Sequence, residues 1–229
     1  MSGAVLILRP QPGADESAER ARRLGLATVV TPLFRVEPLD WQPPDPAEFE
    51  AVMLTSANAA RHGGPQLALF RHLPAFAVGE ATAEAAAEAG FADIRPGPVD
   101  ADALVAMMAD QGFGSAIHPC GEDHIAPGLV GLRLHSVPVY RAIAGDALEG
   151  RALAALEDGA LALLHSPRAA ALFSTLAAPY RARVAIAAIS ANVAEAAGPG
   201  WRSVAIADRP RDQALLELAA KLCQTGGAC

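Results

Sequence analysis

Lysine is almost missing from this chain. Among its 229 residues Lys221 is the only one, and the remaining positive charge is arginine. Arginine makes planar, bidentate contacts with carboxylates that lysine cannot make, although codon usage is the plainer source of an arginine-rich composition. Cysteine is scarce. Cys120, Cys223 and Cys229 are odd in number and widely spaced, which excludes a disulfide framework and fits a reducing cytoplasm. Long apolar runs are absent. Val5-Leu6-Ile7-Leu8 has no basic flank and is too short for a signal-peptide core or a membrane span. Charged residues make up 19%, the net charge is −7 and no basic stripe is present, which argues against a nucleic-acid partner. There is no Gly-x-Gly-x-x-Gly fingerprint and no phosphate loop ending in Gly-Lys-Ser/Thr, so nicotinamide and nucleotide-hydrolysis chemistry lack support. No charge block or low-complexity segment suggests disorder, except that residues 224–229 are expected to fray.

What the chain does have is an internal echo. Leu8-Arg9-Pro10, Gly25 and Pro32-Leu33-Phe34-Arg35 return as Ile117-His118-Pro119, Gly131 and Pro138-Val139-Tyr140-Arg141. Thr55-Ser56-Ala57-Asn58-Ala59-Ala60 returns as His165-Ser166-Pro167-Arg168-Ala169-Ala170. Ala77-Val78-Gly79 with Thr82-Ala83-Glu84-Ala85-Ala86 returns as Ala188-Ile189-Ser190 with Val193-Ala194-Glu195-Ala196-Ala197. The period of about 110 residues is too long for a solenoid and points to duplication of a domain-sized unit. Two such halves imply a cleft between them, where ligands usually bind.

Short aliphatic runs alternate with alanine-rich stretches. Residues 5–8, 28–33, 52–54, 76–78, 116–117, 134–140, 161–164, 184–189 and 204–207 read as strands. Several are apolar on consecutive residues, the pattern of strands covered on both faces. Residues 15–24, 81–89, 102–110, 151–157, 169–176, 193–197 and 212–222 read as helices, the first two ending at Gly25 and Gly90 in C-cap positions. Pro32, Pro38 and Pro138 sit in long extended segments and suit edge or inter-domain strands. Trp41-Gln42-Pro43-Pro44-Asp45-Pro46 reads as a stiff linker.

The expected architecture is therefore α/β with right-handed crossovers: two flavodoxin-like three-layer domains with parallel sheets, joined by two extended connector strands. Because the two connectors match each other in the repeat, the first domain is expected to be discontinuous. Residues 1–36 would join 145–229, and 40–140 would form the second domain.

In this order the motifs resemble those of the uroporphyrinogen-III synthase family. They are Leu8-Arg9-Pro10, a helix ahead of Gly25, Pro32, Thr55-Ser56-Ala57-Asn58-Ala59, Ala77 to Ala83, Tyr140-Arg141 and His165-Ser166-Pro167. The likeness spans nearly the whole chain, and the ordered set carries it because each motif is short. The chain departs from the family pattern at three places. Pro119-Cys120-Gly121 stands where an Arg-Gly is usual, His165 replaces a threonine, and Val193 lacks the hydroxyl of a Gly-Pro-Thr-Thr-Ala step.

The resemblance implies a cytoplasmic lyase of heme and porphyrin biosynthesis. Its substrate is the linear tetrapyrrole hydroxymethylbilane, closed to uroporphyrinogen III with inversion of ring D through a spiro intermediate. It implies no metal or organic cofactor, no nucleic acid and no membrane, and a transient encounter with the upstream deaminase. A monomer is the default expectation. Tyr140 is the candidate catalytic acid for the departing hydroxyl, against the plainer reading of a packing residue equivalent to Phe34. Thr55, Ser56, Asn58, Gly79, Thr82, Ser166, Ser190 and Asn192 lie where strands pass into helices. There they could bind substrate carboxylates or merely cap the helices. Arg9, Arg141 and Arg168 are candidate carboxylate partners, with surface ion pairing as the alternative.

Two other readings compete. One is a non-catalytic two-lobed module that clamps an anionic tetrapyrrole-like ligand. The other is a tandem receiver-like scaffold, for which no acidic phosphoacceptor cluster is present. His118, Cys120, Asp123 and His124 are all capable metal ligands. No second Cys/His pair follows at a zinc-site spacing, so the stretch is read as a loop after a strand.

Overall fold

The computed structural model describes residues 3–98, 100–128, 131–148 and 150–225. In chain order it contains β1 (Val5–Ile7), α1 (Gly13–Arg23), β2 (Thr28–Val30), β3 (Phe34–Pro38), β4 (Ala51–Leu54), α2 (Ala57–His62), β5 (Ala75–Val78), α3 (Glu80–Glu88) and β6 (Ile94–Gly97). It continues with α4 (Ala101–Asp110), β7 (Ser115–Gly121), β8 (Arg133–Ala144), α5 (Arg151–Glu157), β9 (Leu161–Leu164), α6 (Pro167–Leu176), β10 (Ala185–Ala188), α7 (Ala191–Ala197), β11 (Ser203–Ile206) and α8 (Asp212–Gln224). None of these helices is long and apolar enough to cross a membrane.

The chain divides into two units, Met1–Arg35 with Ile143–Cys229, and Val36–Ala142. The first holds a parallel sheet in the order β11-β10-β9-β1-β2. Every residue of β1, β9 and β10 is buried, as continuous apolar runs require of strands covered on both faces. Ala14, Ala18 and Ala21 fall on one stripe of α1. With Leu215, Leu216 and Ala219 of α8 they cover Val5, Ile7, Leu161 and Leu163.

The second unit holds the order β3-β8-β7-β4-β5-β6, parallel from β8 to β6. β3 runs antiparallel to β8. The pairing is bracketed by the bonds Leu39 N to Val139 O and Gly145 N to Leu33 O, both 2.9 Å. Met53, Phe76, Leu104 and Met108 fill one side of this sheet, and Val52, Leu54, Phe70 and Ile117 the other.

The sheet orders decode the internal echo. Taking β1 as the equivalent of β7, and β9 as that of β4, the order β11-β10-β9-β1-β2 maps strand for strand onto β6-β5-β4-β7-β8. Each unit is therefore built from the first two strands of one copy and the last three of the other, with β3 added at the edge of the second. Both are doubly wound parallel sheets of the flavodoxin type.

Several sequence expectations needed correction. β6 is not anticipated, being short and weakly patterned, whereas α2 starts at the strand-to-helix step expected after Thr55. Pro138 lies in β8, which has neighbours on both sides rather than forming an edge, and which runs across the boundary between the two units. The ladder tolerates it through an irregularity: Cys120 pairs with Pro138 and Gly121 with Tyr140, so one residue of β8 is stepped over. The segment expected as a stiff linker is anchored at its first residue. Trp41 is buried, stacks on Phe70, and donates its Nε1 hydrogen to Gly63 O at 2.9 Å. Gly25 and Gly90 end α1 and α3 with φ of +77° and +91°, the left-handed turn that favours glycine. Cys120 is a free, buried thiol, whereas Cys223 is disulfide-bonded.

Candidate functional site

Open parallel sheets bind ligands outside the carboxyl ends of their strands, at the point where strand order reverses. In the first unit that point lies between β1 and β9, and in the second between β7 and β4. The residues standing there are repeat equivalents. Arg9 and His165 follow β1 and β9, while His118 lies in β7 and Thr55 follows β4.

In the first unit these groups gather around Asp212, the first residue of α8. His165 Nε2 lies 2.8 Å from Asp212 Oδ1, and the Ser17 hydroxyl donates to the same oxygen at 2.7 Å. Arg20 Nη1 donates to Oδ2 at 2.8 Å, and Arg9 Nη1 lies 3.5 Å from Oδ1 while donating to Ser17 Oγ at 3.2 Å. Burial alone would raise the Asp212 carboxyl. Hydrogen bonds from His165, Ser17 and Arg20 outweigh it and hold the group well below the usual carboxylate range. Burial pushes His165 down, only partly offset by its bond to Asp212, so the ring is neutral and donates from Nε2. Its buried Nδ1 has no well-formed hydrogen bond among the described residues, although the Leu163 backbone favours the protonated ring. Arg9 is thus a positioned guanidinium held by an acidic anchor.

The other candidates of this unit differ among themselves. Ser166 caps α6, its Oγ accepting from Ala169 N at 3.2 Å. Arg168, in the first turn of α6, stacks over the Phe34 ring at 4.7 Å. Stacking uses the face of the guanidinium, while its N–H donors point along the edge. Ser190 stands at the start of α7 but makes no capping bond, and Asn192 is exposed.

In the second unit Thr55 Oγ1 hydrogen-bonds His118 Nε2 at 2.9 Å, and Ser136 Oγ engages His118 Nδ1 at 3.1 Å. Burial, with the nearby His124, holds His118 down at about 4, and burial pushes the Cys120 thiol up to about 11. Ser56 caps α2 by accepting from Asn58 N at 3.2 Å. Gly79 opens α3 at φ +72°.

Thr82 is buried with Ala85 and Ala86 on the sheet-facing side of α3, so its hydroxyl lies among packing residues. Arg141 makes a two-pronged ion pair with Glu37, Nη2 at 3.0 Å and Nε at 3.3 Å. Tyr140 is half-buried against the core. Its ring lies over Gly121, with the His62 ring centroid 6.3 Å away.

Three contributors escaped sequence reading: Asp212, Ser17 and Gly121. Asp212 and Ser17 are 195 positions apart, and nothing local marks either. A cavity of about 440 Å³ beside β2, lined by Arg22, Thr31 and Arg151 among others, contains none of the candidates.

Comparison with known proteins decides the family. A family model described as uroporphyrinogen-III synthase HemD matches residues 15–217.

The chain belongs to the uroporphyrinogen-III synthase family.

Membership places it among the enzymes of heme biosynthesis that act on a tetrapyrrole. Solved structures share the fold. The uroporphyrinogen-III synthetase of Helicobacter pylori is 18% identical with a TM-score of 0.62, over 97% of this chain and 100% of that one. A mutant uroporphyrinogen III synthase of Thermus thermophilus is 17% identical with a TM-score of 0.54, over 97% and 99%. No curated protein matches the chain significantly.

Against the uroporphyrinogen-III synthase pattern, the departure at Val193 has a structural reading. Its repeat equivalent is Thr82, and both side chains are buried, at 2% and 5% exposure. A valine there packs like a threonine, and no exposed hydroxyl is lost. His165 keeps a polar group at its strand end, where it bonds Asp212.

Proposed function

We propose that this chain is a uroporphyrinogen-III synthase, a cyclising lyase that removes water from hydroxymethylbilane and closes the ring with ring D inverted. The observation that carries the proposal is the family match over residues 15–217. The strand-end chemistry in both units supports it.

The work required is positional and electrostatic. Tyr140 would donate its phenolic proton to the terminal hydroxyl, which leaves as water. The remaining azafulvene-type cation is attacked by the substituted carbon of ring D, giving a spiro intermediate. Fragmentation and reclosure at the other ring D position invert the ring, and loss of a proton restores the pyrrole. Direct closure without the spiro step yields the other isomer, so the fold of the bound chain decides the outcome.

The substrate bears many carboxylates, and this acidic protein must hold them locally. The start of α3 at Gly79 and that of α6 at Ser166 supply backbone N–H donors and favourable dipoles. Ser56, Asn58, Ser190 and Asn192 add polar groups at the remaining strand ends. Arg9, held by Asp212, and Arg168, stacked on Phe34, are the cationic partners in this reading.

The test is a coupled assay. A deaminase generates hydroxymethylbilane in situ, the protein is added, and the oxidised porphyrins are separated by isomer. A shift from isomer I to isomer III is expected. Isomer I alone, with folded protein present, overturns the proposal.

A further inference from the structure

Three side chains at the end of β7 converge on one point for no purpose that ring closure uses. His118, Cys120 and His124 each bring one ligand atom within 4.8 Å of the others. Strand alternation explains the first two, because residues two apart project from the same face. The following turn explains the third. His124 N donates to Gly121 O at 3.0 Å, and the chain folds back so that the His118 and His124 rings meet edge to face, 5.7 Å between centroids. His118 and Cys120 are each only 1% exposed.

We infer that these residues form a binding site for a zinc-class divalent cation, held by two imidazoles and one thiolate. The donor set selects the ion. Nitrogen and sulfur suit borderline and soft metals, whereas calcium and magnesium want oxygen. Glu122 and Asp123, the carboxylates of this stretch, are not in the group.

The outer contacts orient the rings. His124 Nδ1 lies 3.1 Å from Gly121 O, which places its proton there and leaves the Nε2 lone pair for the ion. Each nitrogen of His118 faces a hydroxyl, Thr55 or Ser136. A hydroxyl can turn to donate or accept, so an ion takes one nitrogen while the other stays held.

Zinc bonds of about 2.1 Å to nitrogen and about 2.3 Å to sulfur put ligand atoms roughly 3.5 Å apart. Loading therefore draws the group together, and His124, half-buried on a turn, supplies the movement. Cys120 releases its proton to solvent as the metal–sulfur bond forms. Three protein ligands leave a fourth position for water or the Thr55 hydroxyl. The ion braces the Gly121–His124 turn, whose first residue lies against Tyr140.

Cobalt(II) is the probe. The full chain is stripped with a chelator in a Cys223→Ser, Cys229→Ser background, so that Cys120 is the only thiol. One equivalent of cobalt should give a near-ultraviolet thiolate-to-cobalt band with strong visible bands of tetrahedral coordination, and one equivalent of zinc should erase them. Cys120→Ser should abolish the charge-transfer band. His124→Ala, a change at a half-buried turn that spares the core, should weaken affinity by more than about a hundredfold, since even outer-sphere partners cost 10–100-fold. No charge-transfer band at saturating cobalt, a band that survives Cys120→Ser, or unchanged affinity in His124→Ala would each overturn the site.

Discussion

Tyr140 rests on Gly121 so closely that glycine is the only residue the contact admits without movement. A Cβ at Gly121 would lie 2.9 Å from Tyr140 Cζ and 3.0 Å from its hydroxyl oxygen. Gly121→Ala must push the ring aside. If Tyr140 is the acid, that shift should lower turnover about 10- to 100-fold with the fold intact. Tyr140→Phe keeps the ring and removes the proton, and should lower kcat by about a hundredfold or more with little change in KM. Isomer-resolved rates on both variants check this, and full turnover by Tyr140→Phe removes the acid role.

Ser166 separates capping from substrate binding. Its hydroxyl accepts from Ala169 N, so Ser166→Ala should cost about 1 kcal/mol of stability. Ser166→Asp keeps a good cap, and urea unfolding should show little change. A new negative charge facing substrate carboxylates should nevertheless raise KM at least about tenfold. An unchanged KM in Ser166→Asp would reduce this step to a helix cap.

The fold was legible because its signals are local. Strands such as Leu161–Leu164 are short apolar runs with buried faces on both sides, and α1 repeats alanine along one stripe. β6 was not legible, since Ile94-Arg95-Pro96-Gly97 carries neither alternation nor an apolar run. The candidate site was legible only in part. Strand-end residues such as Thr55 and Ser166 stand beside their helices, so spacing finds them. Asp212 acts on Arg9 and His165 from the far end of the chain, and only the assembled sheet brings it there. The His118 stretch lacks a second Cys/His pair, and its sequence does not show the turn that returns His124 to the strand.

Arg168 depends on Phe34 for its pose. The guanidinium lies 4.7 Å above the ring, an arrangement worth about 0.5–1 kcal/mol at an exposed site. Phe34→Leu should therefore raise KM a few-fold by loosening the cation. Arg168→Lys keeps the charge but loses the planar fork, and should raise KM by about tenfold while leaving unfolding unchanged. Equal KM for Arg168→Lys and the parent chain would show that the arginine serves only its stack.

Acid should unfold the first unit in two stages. His165 is held below its ordinary 6.5, so the folded chain resists a proton that the unfolded chain accepts. Its contribution is fully present above 6.5 and begins to fall as pH drops below that value. Asp212 is held below its ordinary 3.8, so its contribution is present above 3.8 and lost as pH falls further toward the folded value. Asp212→Asn leaves Arg9, Arg20 and His165 without their anion, and should cost about 3 kcal/mol at neutral pH. The same variant should abolish the second stage while leaving the first. Urea unfolding above 6.5, between 6.5 and 3.8, and below 3.8 measures both stages. A second stage that persists in Asp212→Asn would show that acid lability arises from other carboxylates, and that the Arg9 anchor adds nothing to stability.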